Sequence, residues 1–428
     1  MVPRTEGSGG RARGAATGAT PPPRLEQRRG FRPDIQGMRA VAVLLVIANH
    51  AGVPGFAGGY IGVDIFFVVS GYVITQLLLR ETDKGARRGL ADFYSRRVRR
   101  IVPAATATLV ATVVTAGLLL GARTAPNLPG DIRWASLFGA NFRLIRTGSN
   151  YFVPGLQPSL ITQFWSLAVE EQFYLAFPLL VFVAAGSSAV RRRTAAAGGV
   201  SMAGGVVGLG GGRGRGVLVA AVTAGAAVSL WWSVHLSSAE PAVAYYSPFT
   251  RFWELAVGCL LAVVTTGRPR PRRRTGARAA WLGTAVLVVA LVVLDGHSVY
   301  PGWLACLPCG AAALLLWGGS SGTRWGVPGV LSRRPLVYLG DISYSLYLTH
   351  FAWLMLPEQL AHPLTGWWWR AVELAGTLAT AMLSYHLLEN PVRRSRRLAG
   401  DRVAVVLVLC VCVAASWTAS LVVGHLLV

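Results

Sequence analysis

Apolar residues occur along the chain in long, nearly unbroken stretches, without the alternation or the one-sided periodicity of a soluble protein. Stretches of this length and polarity are typical of transmembrane helices. Eleven can be counted, near residues 38–54, 61–79, 101–121, 167–186, 217–234, 249–266, 280–294, 302–318, 337–356, 367–388 and 403–427. The pattern predicts an all-α fold, a polytopic membrane helix bundle of 10 core transmembrane helices with an eleventh, C-terminal span.

The composition agrees with this fold class. Of the 428 residues, 53% are hydrophobic and only 14% are charged, a balance too apolar for a soluble protein of this size. Residues 1–30 differ: they are rich in Gly, Pro and Arg and lack apolar periodicity, which predicts a disordered, basic cytoplasmic tail. We therefore expect this tail, a membrane domain over residues 31–398, and an eleventh span over residues 399–428 that no soluble domain follows.

The net charge of +23 would suggest nucleic acid as the partner of a soluble protein. Here 34 of the 41 Lys and Arg residues fall in the tail and in alternate loops, all on one predicted side of the membrane. This asymmetry predicts a cytoplasmic N-terminus and an extracytoplasmic C-terminus in the cell inner or plasma membrane. The basic excess is thus a topology signal, with attraction to anionic lipid or to an anionic cytoplasmic substrate as secondary interpretations, and no nucleic acid is expected.

Two ionisable residues stand at the ends of the apolar stretch from Arg39 to His50. In a helix they would lie about 16 Å apart and near the same face. If Arg39 is at a membrane surface, His50 is about halfway through the hydrocarbon, a depth at which ionisable groups mark substrate or proton paths. The alternative is an arginine that reaches the interface and a histidine that bonds to a neighbouring helix.

Three carboxylates fall close to the predicted outer ends of spans. Asp64 enters the second span at a depth near that of His50, where it could orient the imidazole or simply cap the helix. Glu170 and Glu171 begin the fourth span and point about 100° apart. We expect one of these two to face the bundle interior and the other the outer water.

Four arginines close the loop after the second span, in the run Arg96-Arg97-Val98-Arg99-Arg100. They lie on the same predicted side as Arg39 and form an anion-binding surface suited to phosphates, unless they serve only as a topology signal. His350 ends a polar stripe along the ninth span. It is either a hydrogen-bonding contact between helices or a rival to His50 in the chemistry.

Together, six motifs in this order resemble the acyltransferase-3 family of membrane O-acyltransferases, which acylate cell-surface glycans, lipopolysaccharide O-antigen, lipids and some antibiotics. The motifs are Arg39 with ten residues to His50, and the runs at residues 59–71, 93–101, 165–174, 343–350 and 389–393. Each is weak alone. In sequence on a polytopic chain, they make the resemblance specific over about residues 31–397.

The resemblance implies transfer of an acyl group, often acetyl, from cytoplasmic acyl-CoA as co-substrate to a hydroxyl of a cell-envelope glycan or glycoconjugate. No bound cofactor and no metal are expected. The partners implied are acyl-CoA, the hydroxyl acceptor and the lipid bilayer. The predicted catalytic residues are His50, Asp64 and Glu170, and the predicted substrate-binding residues are Arg39, Arg97, Arg99, Arg100, Glu171 and His350.

Other functions stay open at this point. They are O-acylation of a natural product, transport of a glycolipid or acyl donor, and a scaffold without catalysis. Many relatives with an eleventh span continue into an extracytoplasmic SGNH hydrolase-like domain, whereas this sequence stops at Val428. Either the acyl group is handed over within the membrane domain, or a separate extracytoplasmic protein accepts it, or the chain is truncated.

Overall fold

The structure is a computed structural model. It describes residues 31–81, 86–121, 127–149, 151, 159–197, 212–360, 364 and 366–426. The predicted disordered tail, residues 1–30, and residues 198–211 before the fifth span lie outside the described residues. The chain divides at Arg32, and the compact unit Pro33–Val428 holds all the elements below.

Every regular element in these described ranges is a helix, which confirms the predicted all-α fold class. The α-helices are α1 Pro33–His50, α2 Gly62–Glu81, α3 Ala86–Leu120, α4 Leu128–Ser136, α5 Ala140–Arg146, α6 Phe164–Ala197, α7 Gly212–Ala239, α8 Pro241–Tyr246, α9 Pro248–Thr265, α10 Arg273–Val293, α11 Cys306–Gly319, α12 Val327–Leu331, α13 Arg334–Asp341, α14 Ser343–Met355, α15 Trp367–Ser384, α16 Asn390–Arg394, α17 Arg396–Gly400 and α18 Arg402–Leu426. A π-helical turn, Tyr385–Glu389, follows α15.

Eight of the described helices are long and apolar enough to cross a membrane. The protein is therefore a multi-pass membrane protein, while the total of ten core spans and an eleventh stays a prediction. The predicted ninth span, residues 337–356, is wrong as a single helix, because α13 and α14 are separate. Ile342 between them has φ −89° and ψ 1°, outside the helical region. Just before the break, Gly340 packs against α1, where a Cβ atom would lie 2.0 Å from the carbonyl oxygen of Gln36.

Helix α1 packs against α2, α13 and α14. Close approach to α2 depends on the absence of a side chain at Gly62, where a Cβ atom would lie 2.3 Å from the carbonyl oxygen of Ala42. At Gly71, further along α2, a Cβ atom would lie 2.0 Å from the carbonyl oxygen of Leu255 in α9. Small residues at such crossings let helix backbones approach closely. Helices α1 and α9 thus both pack closely against α2.

Helix α3 joins the predicted third span to the arginine run before it, because the helix continues without a break from Ala86 to Leu120. The chain after α15 lies beside it: α16 and α17 contact α3. We call this end of the bundle, which carries Arg96 to Arg100 on α3 and Arg393 on α16, the basic end. The short helices α4 and α5 follow α3 in the chain.

Candidate active site

A cavity of about 190 Å³ opens among α1, α2, α3, α6 and α14. Phe66 and Ser166 line the cavity where they contact Tyr347, and we call this part of it the Tyr347 end. The charged residues that line it are Arg39, Arg97, Arg100, Glu170, Glu171, Asp341 and Arg393. Five of the nine residues predicted from the sequence therefore share one cavity.

Arg97 and Arg100 face this cavity from the same side of α3. They are three residues apart and so lie about 60° apart around the helix. The guanidinium carbon of Arg97 is 4.1 Å from the ring centre of Tyr174. Among the described residues, neither Arg97 nor Arg100 has a carboxylate within ion-pair distance. Two arginines without carboxylate partners beside a cavity form a site that suits an anion.

Arg99 does not line the cavity, although the sequence analysis groups it with Arg97. Its Nη1 donates to the carbonyl oxygen of Ser395 at 3.2 Å, and its side chain is buried against the basic end. Two residues along a helix correspond to about 200°, so Arg97 and Arg99 point in nearly opposite directions. The predicted contact of Arg99 with the substrate site is corrected to a contact between α3 and the segment before α17.

Both adjacent glutamates line the cavity. Glu170 accepts hydrogen bonds from Ser70 Oγ at 2.5 Å and from the Tyr174 hydroxyl. Glu171 has a buried Oε1 atom that no hydrogen bond within the described part of the chain satisfies. The prediction that one of the two faces the outer water is wrong, because both side chains line the same cavity inside the bundle.

His50 lies beyond the Tyr347 end of the cavity. It contacts His350 in α14 and Tyr151 in the segment between α5 and α6. Its Nδ1 is 3.0 Å from Nε2 of His350, and the two imidazole rings are stacked with centres 5.1 Å apart. Its Nε2 is 2.5 Å from the hydroxyl oxygen of Tyr151. The sequence analysis treats His350 as a rival of His50, whereas the structure brings the two together as a pair.

The protonation of this pair follows from one backbone contact. Nδ1 of His350 is 2.7 Å from the carbonyl oxygen of Tyr347. A carbonyl only accepts, so this Nδ1 carries the hydrogen and the neutral ring offers Nε2 as an acceptor. His50 then donates from Nδ1 to His350, which leaves its Nε2 unprotonated to accept from the Tyr151 hydroxyl. The arrangement makes Nε2 the basic nitrogen of His50 and makes His350 the residue that orients it.

Tyr347 separates the histidine pair from the cavity. Its side chain lines the cavity, and its ring centre is 5.4 Å from that of His350. The Tyr347 hydroxyl donates to the carbonyl oxygen of Gln163 at 3.0 Å and accepts from Ser166 Oγ at 2.6 Å. We call Tyr347, Gln163 and Ser166 the partition.

Asp64 does not contact His50, and the predicted pairing of the two is wrong. Both ring nitrogens of His50 are already engaged by His350 and Tyr151. The Asp64 carboxylate instead accepts from Arg251 Nη1 at 3.0 Å, and the same Nη1 is 2.7 Å from Glu254 Oε1. Arg251 and Glu254 are three residues apart in α9. We call Asp64, Arg251 and Glu254 the Arg251 cluster, and all three side chains are buried.

The Arg251 cluster has two carboxyl groups and one guanidinium, so it is neutral only when one carboxyl carries a proton. The ligand atoms of Asp64, Glu254 and Cys309 lie within 4.8 Å of one another, a spacing that a metal ion could use. Arg251 already supplies a cation between the two carboxylates, and a metal ion would meet its like charge. The cluster is therefore best interpreted as a buried charge network that joins α2 to α9.

Comparison of the sequence with known proteins shows the family of the chain. The sequence profile of an acyltransferase domain, that of the acyltransferase-3 family, matches residues 32–421. The chain belongs to the acyltransferase-3 family. No solved structure matches the chain at a significant level.

Relatives of this acyltransferase-3 chain include named O-acetyltransferases. OatA of Listeria monocytogenes, a peptidoglycan O-acetyltransferase, is 30% identical over 377 residues, which cover 86% of this chain and 56% of OatA. YrhL of Bacillus subtilis, provisionally named a peptidoglycan O-acetyltransferase, is 31% identical over 379 residues, with the same coverage of 86% and 56%. A provisionally named O-acetyltransferase of Staphylococcus aureus is 27% identical over 85% of this chain and 58% of its own length. The chain thus spans slightly more than half the length of these relatives.

The acyltransferase-3 motifs of the sequence occupy two neighbouring regions of the fold. Residues of the first four motifs line the cavity, as do Ser343, Tyr347 and Arg393 from the last two. Sequence reasoning misses Tyr151 and the partition. The signal available for Tyr151 is the concentration of aromatic residues between α5 and α6, which indicates a packed segment without identifying its partner.

Proposed function

We propose that this acyltransferase-3 chain transfers an acetyl group from acetyl-CoA to a hydroxyl of a cell-envelope glycan, with His50 as the general base. One observation carries the proposal: the unprotonated Nε2 of His50 faces a hydroxyl group, while the hydrogen bond from Nδ1 to His350 fixes the orientation of the ring. A base of this kind, titrating near neutral pH in water, suits proton abstraction from an alcohol. The printed names of the relatives support acetyl as the group and peptidoglycan as the glycan.

The donor would bind at the basic end. Arg97 and Arg100 have no carboxylate partners in the described chain, and guanidinium groups form strong, often bidentate hydrogen bonds to phosphates. Arg39 and Arg393 line the same cavity and add positive charge. A volume of about 190 Å³ is below that of a typical ligand pocket, so the cavity fits the slender thioester arm and leaves the nucleotide at its mouth.

Transfer then requires the thioester to pass the partition and reach His50. His50 Nε2 takes the proton of the acceptor hydroxyl as its oxygen attacks the thioester carbon. The carbon–sulfur bond breaks, and the departing thiolate takes the proton from His50. Transfer through an acyl group on His50 itself is the covalent variant of this reaction. The acceptor is a glycan hydroxyl or, in the alternative, a separate extracytoplasmic protein that carries the acyl group onward.

The function is tested in membranes that contain the protein, supplied with radiolabelled acetyl-CoA and peptidoglycan fragments. Acetyl esters on the glycan, formed at a rate that depends on His50, are the expected result. Label that appears only on small hydroxylated metabolites would replace the glycan by a natural-product acceptor. Donor or lipid that crosses the membrane without ester formation would replace the enzyme by a transporter.

The arginines of α3 offer a matched comparison for the donor site. Arg97→Ala and Arg100→Ala are each expected to raise the KM for acetyl-CoA about tenfold, because each removes a charge-assisted contact worth about 1.5–3 kcal/mol. Arg99→Ala, whose side chain bonds to Ser395, should leave that KM near the wild-type value. Initial rates at varied acetyl-CoA provide the measurement. An equal rise in all three variants would mean a general charge effect and no specific donor site.

The orientation of the protein in the membrane can be tested separately from its activity. We propose that the basic end is cytoplasmic, which puts the donor cavity on the side where acetyl-CoA is made. Reporter fusions after Arg100 and after Arg397 should both read cytoplasmic, and a fusion at Val428 should read external. An external signal after Arg100 would reverse the orientation and remove the proposed donor from the cavity.

A further inference from the structure

Two cysteines lie in the first turn of α11, in the run Cys306-Leu307-Pro308-Cys309. Cys306, the first residue of the helix, is exposed, whereas Cys309 is only 1% exposed. A Cys-X-X-Cys run at a helix N-terminus, with one accessible sulfur, is typical of thiol–disulfide exchange sites. The acyl-transfer chemistry proposed at His50 uses neither thiol.

The backbone at the start of α11 brings the two cysteines within bridging distance. Residues three apart in an α-helix have Cα atoms about 5 Å apart, which is inside the range of about 4.4–6.8 Å found for disulfides. The chain is wound more tightly where the helix begins, because the N–H of Cys306 donates to the carbonyl oxygen of Trp303, three residues back, at 3.0 Å. Such 3₁₀ winding aligns side chains that are three residues apart. A small adjustment of the first turn therefore allows Cys306 and Cys309 to form a disulfide.

A disulfide between these two residues would be easily reversed. It would close a loop that runs only from residue 306 to residue 309, and the stabilisation from a disulfide falls as its loop shortens. Exposed or strained disulfides are the readily reduced ones, unlike the structural bridges of secreted proteins. The site therefore suits exchange between a dithiol and a disulfide, and does not suit a permanent covalent link.

A proton acceptor lies beside the buried Cys309. The Cys309 sulfur is within 4.8 Å of a carboxyl oxygen of Asp64 and of Glu254. Oε2 of Glu254 is buried and has no hydrogen-bond partner in the part of the chain that the structure describes. Because the Arg251 cluster is neutral with one proton on its two carboxyl groups, one carboxylate remains to take the thiol proton of Cys309. A buried thiol needs such a base, since only the thiolate attacks a disulfide.

The cysteine pair lies at the end of the bundle opposite the basic end. Tyr300, in the connection from α10 to α11, packs against Tyr60 with ring centres 4.9 Å apart. Tyr60 follows α1 beyond His50, whereas Arg39, nearer the other end of α1, lines the cavity with the α3 arginines. In the orientation proposed above, the start of α11 is therefore extracytoplasmic, where thiols meet oxidising conditions.

We propose that Cys306 and Cys309 form a reversible disulfide by exchange with an organic disulfide on the extracytoplasmic side, with Glu254 as the proton acceptor for Cys309. The proposal adds a site of redox modification to the protein. It rests on the proposed orientation and does not depend on acyl transfer.

Every bond and proton in this exchange is accounted for. The Cys306 thiol loses its proton to water, and its sulfur attacks one sulfur of the organic disulfide, whose other sulfur departs as a thiolate. The Cys309 thiol then passes its proton to Glu254, and its sulfur attacks the Cys306 sulfur. The bond from Cys306 to the organic sulfur breaks, and that sulfur departs as a second thiolate. Two protein thiols are oxidised, one disulfide is reduced, and the two protons reach the departing thiolates through water.

The first test measures whether the disulfide forms. The full chain in right-side-out vesicles is equilibrated with mixtures of reduced and oxidised glutathione, then alkylated and digested for mass spectrometry. We expect a disulfide between Cys306 and Cys309 that appears and disappears as the mixture is changed. Cys410 and Cys412 are the matched control, because residues two apart in α18 point about 200° apart and cannot bridge. Absence of the first disulfide, or equal oxidation of the control pair, would overturn the proposal.

The same titration in inside-out vesicles tests the location of the site. Glutathione crosses membranes poorly, so the disulfide should form much more slowly when the glutathione is supplied on the cytoplasmic side. Faster oxidation in inside-out vesicles than in right-side-out vesicles would overturn the extracytoplasmic position.

Single variants test which sulfur reacts first. Cys309→Ser should accumulate a mixed disulfide between Cys306 and glutathione, because the thiol that resolves it is gone. Cys306→Ser should accumulate almost none, since the Cys309 sulfur is buried. Mass spectrometry gives the fraction of each variant that carries glutathione. Equal fractions in the two variants would overturn the assigned roles of the two cysteines.

The proton acceptor is tested by Glu254→Gln, with Asp64→Asn as the matched control. In Glu254→Gln, attack of Cys309 on the mixed disulfide should slow at least about tenfold at neutral pH, because a general base is lost and the Asp64 carboxylate is then the sole partner of Arg251. Raising the pH should restore the rate, since hydroxide then ionises the thiol. Asp64→Asn leaves the Glu254 carboxylate in place, so its rate should stay near that of the wild type.

The first step provides an internal control for these rates. Attack of Cys306 on glutathione disulfide, measured in the Cys309→Ser background, should not change when Glu254→Gln is added. Equal slowing of both steps, or a second step that stays slow at every pH, would overturn the role of Glu254. None of these measurements uses acyl transfer. A protein that forms the disulfide but transfers no acetyl group would refute the proposed function alone, and one that transfers acetyl without forming it would overturn this proposal alone.

Discussion

Replacement of His50 by alanine is expected to lower kcat for acetyl transfer by about 10²–10⁴, which is the usual effect of removing a general base. The KM for acetyl-CoA should change little, because His50 lies beyond the partition from the arginines that would bind the donor. Initial rates with labelled acetyl-CoA in membranes give both constants. His350→Ala should lower kcat less, since it removes the orienting residue and leaves the base in place.

His297→Ala is the control for this series, because His297 is exposed in the loop between α10 and α11 and contacts neither histidine of the pair. Its rates should match those of the wild type. Wild-type turnover by His50→Ala would remove the central claim about the base. Loss of activity in His350→Ala alone would transfer that role to His350.

Arg251→Leu is expected to destabilise the protein by about 3–5 kcal/mol, because it leaves the buried carboxyl groups of Asp64 and Glu254 without their cation. That loss is a large fraction of the stability of a typical protein. Glu254→Gln should be far milder. A glutamine resembles a protonated carboxyl, and the remaining Asp64 and Arg251 pair is neutral.

The yield and thermal half-life of the detergent-solubilised protein, read by size-exclusion chromatography, measure this effect. The expected order of half-lives is wild type, then Glu254→Gln, then Arg251→Leu by a wide margin. Equal stability of Arg251→Leu and wild type would mean that the two carboxyl groups are not charged in the folded protein. Strong destabilisation by Glu254→Gln would mean that both carboxylates must be ionised.

The fold class is readable from the sequence because a membrane imposes helices on long apolar stretches. What the pattern cannot give is where a helix breaks inside such a stretch. The break at Ile342 falls where α13 and α14 pack against α1, and a hydropathy average contains no information on that packing. The basic run before the third span was likewise readable as composition, whereas its continuity with α3, which decides the directions of Arg97 and Arg99, was not.

The candidate site, like the fold, could be predicted from the sequence only in part. Residues near each other in the sequence, such as Glu170 and Glu171, or on a regular helix, such as Arg97 and Arg100, could be grouped from spacing alone. The decisive contacts are remote: His50 and His350 are 300 residues apart, and Asp64 and Arg251 are 187 residues apart. Sequence reasoning recognised all of these but Arg251 as candidates, yet paired Asp64 with His50 because both were expected at similar depth. Only the packing of α2 against α9 decides which partner Asp64 has.

The partition has a consequence for the energy supply of the cell. Polar groups that extend far through a membrane can carry protons down the electrochemical gradient whenever water connects them. At the partition, Tyr347 donates to the Gln163 carbonyl and accepts from Ser166, so these polar atoms satisfy one another without water between them. A resting protein with this contact closed keeps the charged cavity electrically insulated from the histidine pair. If acetyl-CoA is the donor as proposed, this contact opens only to admit the thioester arm, which then occupies the opening.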